Sequence, residues 1–211
     1  MSESDFETYF QRRAKRFAAF YSSEPVARVL GRGPLFDRLE FAVDTASSVS
    51  AGRVLDVGCG SGPLFAPLAA RGIHVTGIDP AGAMVALAEE QAAVFPMLVD
   101  VEQRAWEEIE EQDAYDLSVA LGVFDYVADP VGLLRRMGRA APRVVGSFPA
   151  PGLRLLLRKV RYGARGVSVH GYRAQQFEHL AAASGLEVVV VHPLGRAGFA
   201  VHFRRAAQPA P

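Results

Sequence analysis

Cysteine, long apolar runs and metal-ligand spacings are all scarce or missing in this chain of 211 residues. Its one cysteine, Cys59, excludes an intrachain disulfide and any zinc site built from several cysteines. No run approaches the roughly 18 consecutive apolar residues that a membrane span needs, and the acidic N-terminus lacks the apolar core of a secretion signal. No HxxxH or HExxH spacing occurs, which argues against a metal centre. These absences predict a soluble, cytoplasmic protein of one domain, residues 1–211.

An excess of either charge is also missing, since 23 Lys and Arg residues balance 23 Asp and Glu residues. This balance gives no reason to expect a nucleic-acid partner. The charges are nevertheless segregated: residues 79–129 hold thirteen acids and one cation, whereas residues 130–177 hold ten cations and no acid. Either these are two solvated faces of one domain, or the second segment is a basic rim for an anionic substrate or a membrane surface.

The hydrophobic pattern changes from helical to alternating strand and helix near residue 50. Residues 5–48 have helical spacing of apolar side chains, with a second amphipathic run at 33–46. Strands are then predicted at 53–57, 73–79, 96–100, 115–121 and 143–149, with helices between them, the first at 63–71. A further helix is predicted at 173–184, before an antiparallel terminal strand pair at 186–192 and 198–205. This order predicts an α/β fold: a Rossmann-like, seven-stranded, mostly parallel sheet with helices on both faces.

A glycine-rich turn, GCGSG at 58–62, directly follows the first strand. Its spacing is G-x-G-x-G, and Pro63 stands where a dinucleotide-binding loop needs its third glycine. Asp56 precedes the turn and would repel a pyrophosphate, but it suits a ligand with an ammonium or sulfonium group. Asp79 ends the second strand, where a carboxylate can hold both ribose hydroxyls. S-adenosylmethionine therefore matches these residues better than NAD.

The same residues resemble the class I S-adenosylmethionine-dependent methyltransferases, from about Arg53 to Ser147. VLDVGCGSG (54–62) and VTGIDP (75–80) are similar to the first two motifs of that family, and LVDVE (98–102) and DLSVALGVFDYV (116–127) stand at the next two. The resemblance implies a cofactor site made by Asp56, Gly58, Cys59, Gly60, Gly62, Asp79, Pro80, Met84, Asp100, Val101 and Leu121.

Each of these positions has an implied role. Asp56 and the glycine backbone would meet the methionine portion, and Asp79 would hold the ribose. Pro80 and Met84 would flank the adenine, whose amino group Asp100 would bind while the Val101 amide faces the ring. Leu121 would lie beside the sulfonium, and Cys59 is expected to pack as a small apolar residue. Pro67 is expected to shift or kink the helix after the loop.

Methyl transfer is an in-line displacement, which requires alignment of the two reactants but no covalent catalyst. Four residues could accept a proton or orient an acceptor hydroxyl: Asp125, Tyr126, His170 and Tyr172. For each, a helix cap, a packed aromatic or a surface position is an equally good interpretation. His192 and His202 lie on the terminal strands and are expected to be structural.

The chain is accordingly divided into an N-terminal helical cap (1–50), a cofactor-binding core (51–150), and a substrate-side insertion with the terminal strands (151–211). The aromatic residues of the cap, Phe6, Tyr9, Phe10, Phe20 and Tyr21, either pack on the sheet or form a lid. The insertion contains an amphipathic basic segment at 151–166, loosely similar to one in magnesium-protoporphyrin methyltransferases. Such a segment binds an acidic substrate or lies on anionic lipid as a peripheral membrane contact.

The resulting hypothesis is methyl transfer from S-adenosylmethionine to a small-molecule acceptor, anionic or lipid-like. Two alternatives stay open, namely a catalytically idle methyltransferase-like binding domain and an NAD(P)-dependent reductase. The motifs identify neither the acceptor nor the oligomeric state.

Overall fold

A computed structural model describes residues 33–163 and 168–207 of the chain. The strands are β1 Arg53–Val57, β2 His74–Asp79, β3 Val99–Gln103, β4 Leu117–Ala120, β5 Arg143–Pro149, β6 Leu186–Pro193 and β7 Gly198–Arg205. The helices are α1 Gly33–Ser48, α2 Phe65–Ala69, α3 Gly82–Ala92, α4 Pro130–Ala140, α5 Leu153–Gly163 and α6 Phe177–Ser184, with 3₁₀ turns at Trp106–Glu108 and Ala174–Gln176. The aromatic residues named above in the N-terminal cap lie outside the described residues.

The seven strands form one sheet in the order β3-β2-β1-β4-β5-β7-β6. β1 to β5 are mutually parallel, and β7 runs antiparallel to both β5 and β6. The predicted Rossmann-like sheet is therefore confirmed. The chain builds outward from β1 to β3 and then returns to place β4 on the other side of β1. The strand order reverses between β1 and β4, and ligands of such sheets bind beyond the carboxyl ends of the strands at that point.

Two apolar layers cover the faces of the sheet because side chains alternate along each strand. Val54 of β1 packs in one layer with residues of α1 and α2, while Leu55 packs in the other with residues of α4 and α6. Asp129 begins α4 by accepting a hydrogen bond from the Gly132 amide at 2.8 Å, as expected of an N-cap. The α/β layering thus follows directly from the apolar strands and the caps.

Several predicted boundaries differ from the structure. β3 begins at Val99 rather than at residue 96, because Pro96 lies in a turn closed by the Leu98 amide on the Phe95 carbonyl at 2.9 Å. The helix predicted at 63–71 is shortened to α2, which contains Pro67. The helix predicted at 173–184 is divided into a 3₁₀ turn and α6.

Within the described residues, no helix is both long and apolar enough to cross a bilayer. The same part of the chain contains no group of three or more His, Cys, Asp or Glu side chains that could hold a metal ion.

Candidate functional site

The turn after β1 curls over the end of β2 and leaves one side of its backbone open. The amides of Gly58 and Cys59 both donate to the Ile78 carbonyl, at 2.8 and 3.0 Å. Gly58 and Gly60 have φ values of +68° and +56°, which only glycine adopts readily. A Cβ on Gly58 would lie 2.5 Å from Val123 Cγ2, whereas a Cβ on Gly60 would meet nothing within 4 Å. The backbone at Gly60 can therefore be approached closely by a ligand.

Asp79 is fixed beside this turn by backbone amides. Its two carboxylate oxygens accept hydrogen bonds from Gly60 N at 3.0 Å and from Ala81 N at 2.9 Å. A carboxylate has about four lone-pair sites, so these amides orient the group without exhausting its capacity to accept. Asp79, at the end of β2, and Gly60, in the turn, are thus held together by a hydrogen bond.

Asp56 is buried behind the turn and faces a cation from α1. Burial, and after it the nearby Asp79 carboxylate, raise the pKa of Asp56 to about 7, while Arg38 acts in the opposite direction. The Arg38 guanidinium reaches over the loop after β4: its Nη1 lies 3.0 Å from the place a Cβ on Gly122 would take. Together, Asp56 and Arg38 provide a carboxyl group and a guanidinium cation near the switch point of the sheet.

Arg38 belongs to none of the motifs in the sequence. It lies four and eight positions before Ala42 and Ala46, which are both buried, so it continues the inward stripe of α1. A single cation on an otherwise apolar helical stripe is the signal that could have identified it.

The residues expected around an adenine ring are only partly brought together. Pro80 directly follows Asp79, and Met84 is buried in the first turn of α3. Asp100, however, lies three positions before the end of β3, where it pairs in register with Thr76 of β2. Val101 is the next residue along β3. Gln103 is the residue level with Asp79, and its Nε2 donates to the Pro80 carbonyl at 3.2 Å. The structure therefore places Gln103 at the carboxyl edge where the sequence indicated Asp100.

On the other side of the switch point, the buried Asp125 forms an ion pair with the half-buried Arg158 of α5. Arg158 Nη2 lies 2.6 Å from Asp125 Oδ2 and donates to the Tyr126 hydroxyl at 3.0 Å. Burial raises the pKa of Asp125, although Arg158 acts in the opposite direction. Leu121 directly follows β4 at the start of the same loop. The ion pair fastens α5 to the loop on which two of the catalytic candidates lie.

The remaining candidates differ in how their polar atoms are engaged. The Tyr172 hydroxyl donates to the Phe124 carbonyl at 3.1 Å, and its ring packs edge-on against Phe148. Burial and Asp125 raise the pKa of Tyr172, which keeps the phenol protonated. The His170 amide donates to the Asp125 carbonyl at 2.8 Å, and its Nε2 is buried without a hydrogen-bond partner in the described residues.

Cys59, His192 and His202 pack within the fold. Burial, followed by Asp56 and Asp79, raises the pKa of the Cys59 thiol, so it stays protonated. His192 stacks on Phe41 with ring centroids 5.4 Å apart. His202 is buried in β7, away from the carboxyl edge of β1 and β4.

Strand order and the glycine turn define a doubly wound α/β domain of the Rossmann-like class. A family model described as a methyltransferase domain matches residues 17–191. The chain belongs to this family, the class I S-adenosylmethionine-dependent methyltransferases.

Sequence relatives are ubiquinone biosynthesis O-methyltransferases. The chain is 34% identical to the one from Hahella chejuensis over 106 residues, which cover 49% of the chain and 44% of the relative. It is 39% identical to the one from Azorhizobium caulinodans over 87 residues, 41% of the chain and 34% of the relative. The matches thus span less than half the length of either relative.

Solved structures show the same fold over nearly the whole chain. Magnesium protoporphyrin IX methyltransferase from Synechocystis PCC 6803, solved with bound SAH, is 18% identical at a TM-score of 0.80, covering 97% of this chain and 100% of that one. The 1,6-didemethyltoxoflavin-N1-methyltransferase from Burkholderia thailandensis, solved with S-adenosylhomocysteine, is 15% identical at a TM-score of 0.71, covering 97% and 88%.

Proposed function

We propose that this protein transfers the methyl group of S-adenosylmethionine to a small-molecule acceptor. The observation that carries the proposal is the set of charged groups around the open backbone of Gly60: Asp79 beside it, with Asp56 and Arg38 behind it. One diol-binding carboxylate, one acid and one guanidinium match the ribose, the ammonium and the carboxylate of this cofactor. The family membership supports the same assignment.

Asp79 would hold the ribose hydroxyls, with its orientation set by the two backbone amides. Asp56 would take the ammonium group, and Arg38 would take the carboxylate of the methionine portion. When bound, the cofactor supplies an electrophilic methyl group on a positively charged sulfur. Gln103, Pro80 and Met84 would line the adenine end, and the pairing of Gln103 with Asp79 in the register of β2 and β3 supports the inclusion of Gln103.

The loop after β4, with the residues that pack on it, would hold the acceptor. The chain's task there is to align the nucleophilic atom of the acceptor and to exclude water. Among the four catalytic candidates, His170 is the one whose ring nitrogen lacks a hydrogen-bond partner in the described residues. We assign it to accept the proton that a hydroxyl or amine acceptor releases. Asp125 and Tyr126 are held by Arg158 and would shape the pocket.

The acceptor proposed is anionic or lipid-like. Arg158 lies against the acceptor-side loop, and it belongs to a segment with ten cations and no acid, at 130–177. Relatives named for ubiquinone biosynthesis and for magnesium protoporphyrin IX are consistent with an organic small molecule as acceptor.

Calorimetric titration with S-adenosylhomocysteine tests the cofactor site. Asp79→Ala should weaken binding by about 1–3 kcal/mol, because charge-assisted hydrogen bonds to the ribose are lost. Asp116→Ala is the matched control, because Asp116 also accepts two backbone amides, from Gly52 at 2.8 Å and Arg53 at 2.9 Å, but at the opposite edge of the sheet. Equal losses in both variants would contradict the ribose role.

A radiolabelled methyl-transfer screen over a fractionated metabolite extract tests the activity. Label should enter a small, anionic or lipid-soluble fraction. Tight adenosylhomocysteine binding with no transfer to any fraction would instead indicate an idle binding domain, and saturation by NADH or NADPH alone would indicate a reductase.

A further inference from the structure

Helix α5 carries a row of leucines that points away from the protein. Leu153, Leu156 and Leu157 are 72%, 57% and 62% exposed. Their spacing of three and four residues places them on one stripe of the helix. Three large apolar side chains on one exposed stripe form a surface that water solvates poorly.

The opposite side of α5 is the one attached to the domain. Leu155 is buried, and its Cδ2 lies 2.2 Å from where a Cβ on Gly171 would be, so the helix packs closely on that segment. Arg158, three residues further along the same side, makes the ion pair with Asp125. The helix is therefore held with Leu155 and Arg158 inward, while its other three leucines face outward, where an ordinary surface helix carries polar side chains.

Cations flank the outward leucines. Lys159 and Arg161 are both exposed, and the surrounding segment at 130–177 contains no acidic residue. A second copy of this chain would bring the same positive segment against itself, so pairing through this face would be opposed by repulsion. An anionic surface that also accepts apolar side chains is complementary in both respects.

We propose that the outer face of α5 docks on a bilayer with anionic headgroups. The three leucines enter the boundary between headgroups and acyl chains, and Lys159 and Arg161 contact the negative headgroups. The inner face stays attached to the acceptor-side loop through Arg158. Docking thus brings the acceptor pocket to the membrane surface, where a lipid-like acceptor is concentrated; this last step rests on the proposed function.

Vesicle co-sedimentation of the full chain tests the docking. The protein should pellet with phosphatidylcholine vesicles that contain about one third phosphatidylglycerol, and much less with phosphatidylcholine alone. Leu156→Ser with Leu157→Ser should weaken binding at least about tenfold, because two apolar side chains no longer leave water. Lys159→Gln with Arg161→Gln should weaken it by roughly thirtyfold and reduce its dependence on salt.

Two exposed apolar residues elsewhere provide the control. Val94 and Met97 are 68% and 82% exposed and lie between α3 and β3. Val94→Ser with Met97→Ser should leave vesicle binding unchanged. Failure of the wild type to pellet, equal pelleting with both vesicles, or equal losses in control and leucine variants would overturn the proposal. The proposal would also be overturned if the leucine substitutions abolished dimers and left vesicle binding intact.

Adenosylhomocysteine affinity, measured on the same preparations, shows whether each variant is folded and separates the two proposals. Vesicle binding without any adenosylhomocysteine binding would remove the proposed function and leave the docking surface in place. The converse result would remove the docking surface alone.

Discussion

Adding one methyl group at Gly60 provides a direct test of the cofactor site. Gly60 has φ +56° and open space where a Cβ would lie, and Gly72, in the turn before β2, has φ +72° and equally open space. Alanine at either position therefore meets no clash inside the protein, and both substitutions impose a left-handed backbone on a residue with a Cβ. The two sites differ in surroundings: the Gly60 amide donates to Asp79.

The expected effects follow from this comparison. Each alanine should lower the free energy of unfolding by about 1–2 kcal/mol, since that is the cost of a left-handed conformation for a residue other than glycine. For Gly60→Ala the methyl group also projects into the space proposed for the ligand. Its affinity for S-adenosylhomocysteine should fall at least about tenfold, or 1.4 kcal/mol. For Gly72→Ala the affinity should change by less than about twofold, within ~0.4 kcal/mol.

Urea unfolding measures the first quantity, and calorimetric titration at a temperature where both variants are folded measures the second. Similar stability losses with a selective loss of affinity in Gly60→Ala would support the site. Unchanged affinity in Gly60→Ala, or equal weakening in both variants, would refute the close approach of a ligand to this turn.

Three further predictions concern ionisable groups. The pKa of Asp56 is raised to about 7 by burial and then by a neighbouring carboxylate. The proposed role of Asp56 requires its ionised form to bind the ammonium of the cofactor, so affinity should rise as the pH goes from about 6 to about 8. Titration of Asp56→Asn over that range should give a flat profile, and a slope that persists in the variant would exclude this residue as its source. Burial, aided by neighbouring arginines, lowers the pKa of His202 to about 4, so the unfolded chain takes up the proton first as the pH falls below about 6.5. Acidification to about pH 4 should thus lower the free energy of unfolding of the wild type by up to roughly 3 kcal/mol, a loss that His202→Gln should not show. Urea unfolding of both proteins measures this, and the same dependence of stability on pH in both would contradict it. Arg158→Met should destabilise the fold by about 1–3 kcal/mol, because Asp125 stays buried without its cation. Adding Asp125→Asn should recover part of the loss in the same urea assay. If the double variant is as unstable as Arg158→Met, the ion pair does not account for the loss.

The strands and the turn to which we assign the cofactor could be predicted because their sequence signals are local. β1, the glycine turn and Asp79 are encoded by adjacent residues, and the parallel register then brings the ends of β1 and β2 together. β3 shows the limit of such reasoning. Asp100 and Gln103 are both polar residues near a strand end, and the turn at Pro96 shifts the strand so that Gln103 reaches the edge.

The acceptor side could not be read in the same way, since its contacts join distant segments. The pairing of Asp125 with Arg158 spans 33 positions, and nothing in either local pattern selects one partner among ten cations. The orientation of α5 depends on the same contact. Leucines at helical spacing indicate an amphipathic helix, but they do not say which side faces the domain.

The order of apolar strands, glycines and carboxylates along the chain is enough to define the α/β class and the glycine turn with its flanking carboxylates, because backbone geometry and strand register act over a few residues. The placement of Arg38 behind Asp56, the choice of Gln103 at the sheet edge and the outward leucines of α5 required the folded chain. These features arise from packing between elements far apart in sequence, where burial and charge select among many combinations that are locally equivalent.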